Sequence, residues 1–172
     1  MLFTLFFSGL VMPYEAVVVP LYYDIRNAGL DNTLWAVMLP QIGLALSFGT
    51  FWMRSYFRSS PTYLTEAAKL DGANSWQTLW RVLIPNARPA LVTLVVLLFM
   101  WTWNEFLLAL VMIQTPQWRT APLGLASFVG QHTTDLSGLA AGATLTALPI
   151  VILYIIFQRN FIAGMLAGGN RE

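Results

Sequence analysis

Apolar residues run along this chain in four stretches, over about residues 1–22, 33–53, 90–113 and 136–157. Each is near the length of roughly 20 residues that one bilayer crossing needs. Pro13, Glu15 and Pro20 interrupt the first, Pro40 the second and Pro149 the fourth. Proline is tolerated in membrane helices where neighbouring groups re-satisfy the carbonyls it frees. The small-residue run Ala140-Ala141-Gly142-Ala143 permits close helix approach, so the pattern predicts a packed bundle. One short polar loop and one longer loop join the outer stretches. The first, Asp24 to Asn32, has Gly29 for a turn. The last, Gln114 to Asp135, holds Pro116, Pro122 and a short helix near Leu123 to Val129.

One long polar segment, about residues 54–89, breaks the pattern between the second and third stretches. Ser60-Pro61 reads as a helix start, a hydroxyl cap followed by proline at the first helical position. That helix runs to about Leu70 or Asp71, and Gly72 stands where a left-handed C-terminal residue is wanted. A second helix, capped by Asn74 or Ser75, carries Trp76, Leu79, Trp80 and Leu83. Pro85 is expected to stop it, because the residue before a proline is pushed away from helical angles. Pro89 marks the entry to the third span.

Composition turns this pattern into a membrane reading. The chain has 172 residues, 57% hydrophobic and only 10% charged. Soluble domains carry about 25% charged residues. The expected class is therefore an all-α integral membrane protein with four transmembrane helices in one domain, residues 1–172. A net charge of +1 with no basic stripe argues against nucleic acid as a partner. The absence of cysteine removes disulfides and thiolate metal sites. His132, the one histidine, reads as a solvated loop residue, and one histidine makes no metal site. The start, Met1-Leu2-Phe3-Thr4-Leu5-Phe6-Phe7, lacks the basic region and cleavage site of a signal peptide. It reads as a chain beginning inside a span.

Charge also sets orientation. Arg54, Arg58, Lys69, Arg81, Arg88, Arg159 and Arg171, seven of nine basic residues, lie on one side, and Arg26 and Arg119 on the other. The positive-inside rule makes the richer side cytoplasmic. Four spans then put both termini there.

In the polar segment Leu64, Ala67, Ala68 and Leu70 are apolar or small, beside charged Glu66, Lys69 and Asp71. Ala67 and Ala68 leave little relief, so a partner's backbone approaches closely, and Glu66 offers it a charge. The alternative is a hairpin lying on the membrane surface, anchored by Trp76 and Trp80. Glu66-Ala67-Ala68, Gly72 four positions on, and Leu83-Ile84-Pro85 resemble the EAA loop of permease subunits from binding-protein-dependent ABC importers. Residues Pro61 to Ala73, Trp101-Thr102-Trp103-Asn104-Glu105-Phe106, Thr120-Ala121-Pro122-Leu123-Gly124-Leu125 and Gln158-Arg159 with Gly164 are similar to the carbohydrate-uptake branch.

The resemblance covers nearly the whole chain. It implies a type I importer permease fold in the cytoplasmic (inner) membrane and transport of a sugar or sugar-like solute. The implied partners are ABC ATPase subunits, which bind ATP and magnesium, a second homologous permease and an extracytoplasmic solute-binding protein. Glu66, Ala67, Ala68 and Gly72 would dock the ATPase through a coupling helix. Leu83, Ile84 and Pro85 would close the motif and set the angle into the third span. Members normally carry six spans, so this chain looks like an N-terminally truncated one. A truncated, non-transporting fragment is the alternative within that family.

Two readings stand for Asn104 and Glu105 in the third span. Ionisable groups inside membranes mark functional sites by default, so they could line a sugar pathway with Trp101 and Trp103 stacking on the rings. Otherwise they lie near the end of the span, pairing with a neighbouring helix or reaching water. Glu15, beside Pro13, reads as part of a kinked, protein-facing segment with a structural role. No nucleotide-binding Gly-x-x-x-x-Gly-Lys-Ser/Thr, Gly-x-Ser-x-Gly or His-Glu-x-x-His sequence occurs. The chain reads as a transport subunit with no catalytic or metal site and no cofactor of its own. A small membrane enzyme or channel is the remaining alternative.

Overall fold

The computed structural model describes residues 6, 8, 9, 11–130 and 133–169. His132, Arg171 and the apolar start Met1 to Leu5 lie outside the described residues. The described part is helical, and its one strand-like feature is a bridge between Val129 and Thr134. Three helical stretches in it are long and apolar enough to cross a membrane: Leu34–Ser59, Arg88–Met112 and Leu136–Gln158.

The first expected span, residues 1–22, is not one helix. The chain bends at Met12, and Pro13 takes an extended conformation (φ −59°, ψ 121°) before helix α1, Tyr14–Asn27. Proline lacks the N–H that would continue an upstream helix, so the path restarts after it. Glu15 consequently sits in the first turn of α1, where the helix dipole favours negative charge. It is exposed in this chain. Helix α1 ends as its sequence suggests. Gly29 adopts φ +69°, and the amides of Gly29 and Leu30 return to the carbonyls of Arg26 and Ile25.

Helix α2, Leu34–Ser59, contains Pro40 without a break in helical structure. Its 26 residues correspond to roughly 39 Å at 1.5 Å per residue. The charged hairpin follows: α3 (Thr62–Leu70), then α4 (Ser75–Thr78), which runs on through a π-helical turn (Leu79–Leu83) and one α-turn (Ile84–Asn86). Helix α5, Arg88–Trp103, and helix α6, Leu107–Met112, form the third span with a break at Asn104–Phe106. Short turns at Pro116–Trp118, Ala121–Gly124 and Leu125–Phe128 lead to α7, Leu136–Gly169.

The buried core lies at the end of the bundle away from the hairpin. Val18 and Ile25 of α1, Ala36 and Val37 of α2, and Leu108, Ala109 and Met112 of α6 meet there with Ile113 and Leu123. Asn32 locks that end. It holds φ +55°, and its Oδ1 accepts from the amides of Gln114 and Thr115 (both 2.9 Å) and the Thr115 hydroxyl (3.1 Å). The long helices leave most of their apolar residues on the outside, as in Val151, Ile152, Tyr154, Ile155 and Ile156 of α7. Outward apolar surface of that extent is what lipid or partner helices cover.

Two glycines at the start of α7 seat a neighbouring turn. A Cβ at Gly142 would stand 2.9 Å from Leu125 and 3.2 Å from Phe128, and one at Gly138 would stand 2.7 Å from Phe128. Gly138 and Gly142, four apart and so on one face, make the seat for the Phe128 ring.

Candidate functional site

The hairpin gains its shape from local chemistry. Gly72 has φ +76°, and the amides of Gly72 and Ala73 bond back to the carbonyls of Lys69 and Ala68 (3.0 and 2.9 Å), a complete Schellman ending. Two residues on, Asn74 Oδ1 accepts from the Gln77 amide, and Gln77 Oε1 accepts from the Asn74 amide, a reciprocal capping box. The turn between α3 and α4 is thus fixed from both sides. At the other end of α3 the cap is Pro61, one residue later than expected, and no side chain satisfies the first amides.

Pro85 does not stop the second limb. Ile84 keeps helical angles (φ −65°, ψ −44°), and its amide reaches the carbonyl of Leu79, five residues back. A proline ring clashes with the carbonyl four residues before it, and widening the turn to π-helix relieves that clash. Leu83, Ile84 and Pro85 are half-buried in this continuous path from α4 to α5.

The docking candidates separate by face. Ala68 is only 6% exposed, in the limb that packs on the π-turn, so it is not available to a partner. Glu66, Ala67 and Gly72 are exposed. Tyr63 (65% exposed) and Leu70 (89% exposed) share a face with Glu66 and Ala67, at positions i, i+3, i+4 and i+7. Neither Tyr63 nor Leu70 stands out in the linear motif. The signal that finds them is helical spacing, which groups them with Glu66 once the start of α3 is known.

In the membrane part, the four candidate pathway residues do not converge. The Trp103 indole N–H donates to the Thr146 carbonyl of α7 (2.9 Å), and its ring stacks on Phe99. Trp101 points the other way, to Phe48 of α2, with ring centroids 4.6 Å apart. The Asn104 amide nitrogen donates to the Met100 carbonyl of its own helix (2.8 Å). Glu105 sits at the break between α5 and α6 and is occupied on both oxygens. The Leu108 amide donates to Oε1 (2.7 Å), which caps α6, and the Tyr14 hydroxyl donates to Oε2 (3.0 Å). Trp101 and Glu105 still meet at one small recess of about 70 Å³, with Gln41 of α2 and Thr102 supplying further polar groups. Gln41 follows Pro40 inside an apolar stretch, and that lone amide was its only sequence signal. Among the described residues, no three His, Cys, Asp or Glu side chains gather as a metal site.

Residues 1–166 match the profile of the binding-protein-dependent transport system inner membrane component. The chain belongs to that family. Among its relatives, a probable ABC transporter permease protein of Bacillus subtilis, YurM, is 40% identical over 161 residues, which is 94% of this chain and 54% of that protein. The trehalose transport system permease protein SugB of Mycobacterium tuberculosis is 38% identical over 92% of this chain and 58% of its own length. The lactose transport system permease protein LacG of Rhizobium radiobacter is 32% identical over 95% and 59%. This inner membrane component therefore spans little more than half the length of these relatives. Its fold is similar to that in the crystal structure of a bacterial ABC transporter involved in the import of the acidic polysaccharide alginate. That match has a TM-score of 0.62 and 25% identity, and covers 82% of this chain and 55% of the other.

Proposed function

We propose that residues 1–172 form a single transmembrane domain of a permease that imports a sugar or sugar-like solute, with its hairpin as the receiver of work from separate ATPase subunits. The observation that carries this is the exposed Tyr63–Glu66–Ala67–Leu70 face, held on a hairpin whose turn is fixed by the Gly72 ending and the Asn74–Gln77 box. Large apolar side chains flanking an acidic residue on a rigid exposed helix suit a protein groove that carries a basic residue. Relatives named for trehalose and lactose transport support the solute class. The distribution of Arg and Lys supports a cytoplasmic hairpin, C-terminal tail and chain start.

The partners in this reading are two ABC ATPase subunits, which bind ATP and magnesium, a second homologous permease and an extracytoplasmic solute-binding protein. ATP hydrolysis belongs to the ATPase subunits. The recess formed by Gln41, Trp101 and Glu105 is the candidate stretch of the solute path. A tryptophan face and fixed amide and carboxylate groups suit a hydroxylated ring. The test is to purify the membrane complex and reconstitute it with the binding protein in proteoliposomes. ATP-dependent uptake of a sugar supports the reading; intact assembly with no uptake of any sugar overturns it.

A further inference from the structure

The hairpin's return limb and the start of α5 are each bolted to α2. The Tyr56 hydroxyl donates to the Asn86 carbonyl (2.9 Å), and the Trp52 indole N–H donates to the Ala90 carbonyl (3.1 Å). The two carbonyls flank the junction between the Pro85 turn and α5. Tyr56 and Trp52 are four apart and lie on one face of α2. The same face continues inward: the Trp52 ring lies 5.8 Å from Phe48, and Phe48 lies 4.6 Å from Trp101 at the recess. One unbroken line of contacts therefore joins the hairpin's exit to the membrane recess.

Resting on the functional reading above, we propose that Trp52 and Tyr56 are positioning residues that make the hairpin's return limb and α2 move as one body. The Trp52–Phe48–Trp101 ring contacts carry that placement to the recess. The return limb departs from regular α-helix there, although its backbone bonds continue through the turn. The π-turn and Pro85 remove regular helical hydrogen bonds where force would have to pass. Side-chain bonds from α2 hold the two sides of that irregular stretch to a regular helix. Energetic coupling between distant sites requires elements with a shared, discrete placement, and these two bonds supply it.

The test uses Tyr56→Phe, which removes the hydroxyl and keeps the ring, and Trp52→Phe, which removes the indole donor and leaves a smaller ring facing Phe48. In the reconstituted complex, the expected result is unchanged co-purification of the ATPase, retained ATP hydrolysis and a several-fold fall in solute imported per ATP. The double variant is expected to fall no further than the worse single one, since both act on one junction. A merely structural role would lower the yield of complex and leave the ratio per complex alone. The chain has no cysteine, so spin labels at Arg58→Cys and Arg81→Cys report the same junction without any solute. Their distance distribution is expected to broaden in the double variant. A wild-type import ratio with an unbroadened distribution overturns the inference. Absence of import by the wild-type complex overturns the functional reading instead, and the distance result then judges the junction by itself.

Discussion

The Tyr14 hydroxyl lies 3.0 Å from Glu105 Oε2, a bond that joins the first turn of α1 to the break in the third span, 91 positions away. Glu105 at the same time caps α6 through the Leu108 amide. One carboxylate thus holds two half-helices and a third helix in register. The third span can break inside an apolar stretch because the freed amide at the start of α6 has this acceptor. Of the two readings of Glu105, pairing is the one its contacts describe. It pairs through both oxygens and still lines the recess.

Removing each side of this bond should have unequal effects. Tyr14→Phe is expected to lower stability in detergent by about 1 kcal/mol, the scale of a hydrogen bond inside a membrane bundle. Glu105→Ala loses the cap as well and should cost about 2 kcal/mol or more. Adding Tyr14→Phe to Glu105→Ala should cost almost nothing further. Denaturant titration of the four proteins checks this; additive losses would show that the two groups act independently.

Asn32 gives a second, sharper contrast. Its carboxamide oxygen has three donors, and its backbone is left-handed. Asn32→Gly keeps the backbone conformation and loses the bonds, at about 1 kcal/mol each. Asn32→Ala loses both and should be the worse variant by roughly 1 kcal/mol. Asn32→Asp keeps an acceptor and should stay nearest to the original. The order of unfolding midpoints, Asp above Gly above Ala, is the readout.

At Gly72 a Cβ would meet nothing within 4 Å, yet φ is +76°. The cost of Gly72→Ala is therefore conformational, about 1 kcal/mol, and confined to the hairpin turn. Gly72→Val adds a branched side chain to the same unfavourable backbone. Membrane insertion should be normal for both, while ATPase co-purification and uptake should weaken for Ala and vanish for Val. Wild-type uptake by the Val variant would remove the turn from the coupling account.

Much of the hairpin was legible in the chain because its rules are local. Glycine at a left-handed helix ending and asparagine three residues before glutamine each state their geometry within a few positions. Pro85 misled for the opposite reason. The relief of its clash depends on a π-turn begun six residues earlier, and no propensity encodes that choice. The bend at Met12–Pro13 is seen only in the fold, because hydropathy counts apolar residues and not the path of the chain. Trp101 and Trp103 look like a pair in the sequence, but residues two apart on a helix face different neighbours. The spacing already held that fact. Their partners, Phe48 and the Thr146 carbonyl, are distant in sequence and needed the fold.

The central claim is that the Tyr63–Glu66–Ala67–Leu70 face is where an ATPase subunit sits. The most direct measurement is site-specific crosslinking in this cysteine-free chain. A photoreactive label on Leu70→Cys, 89% exposed, should capture the ATPase subunit in membranes containing the complete complex. The same label on exposed Leu145→Cys of α7 should not. Capture from Leu70 with none from Leu145 is the predicted result. Equal capture at both positions, or labelling of lipid alone from Leu70, would contradict the account and favour a hairpin lying on the membrane surface.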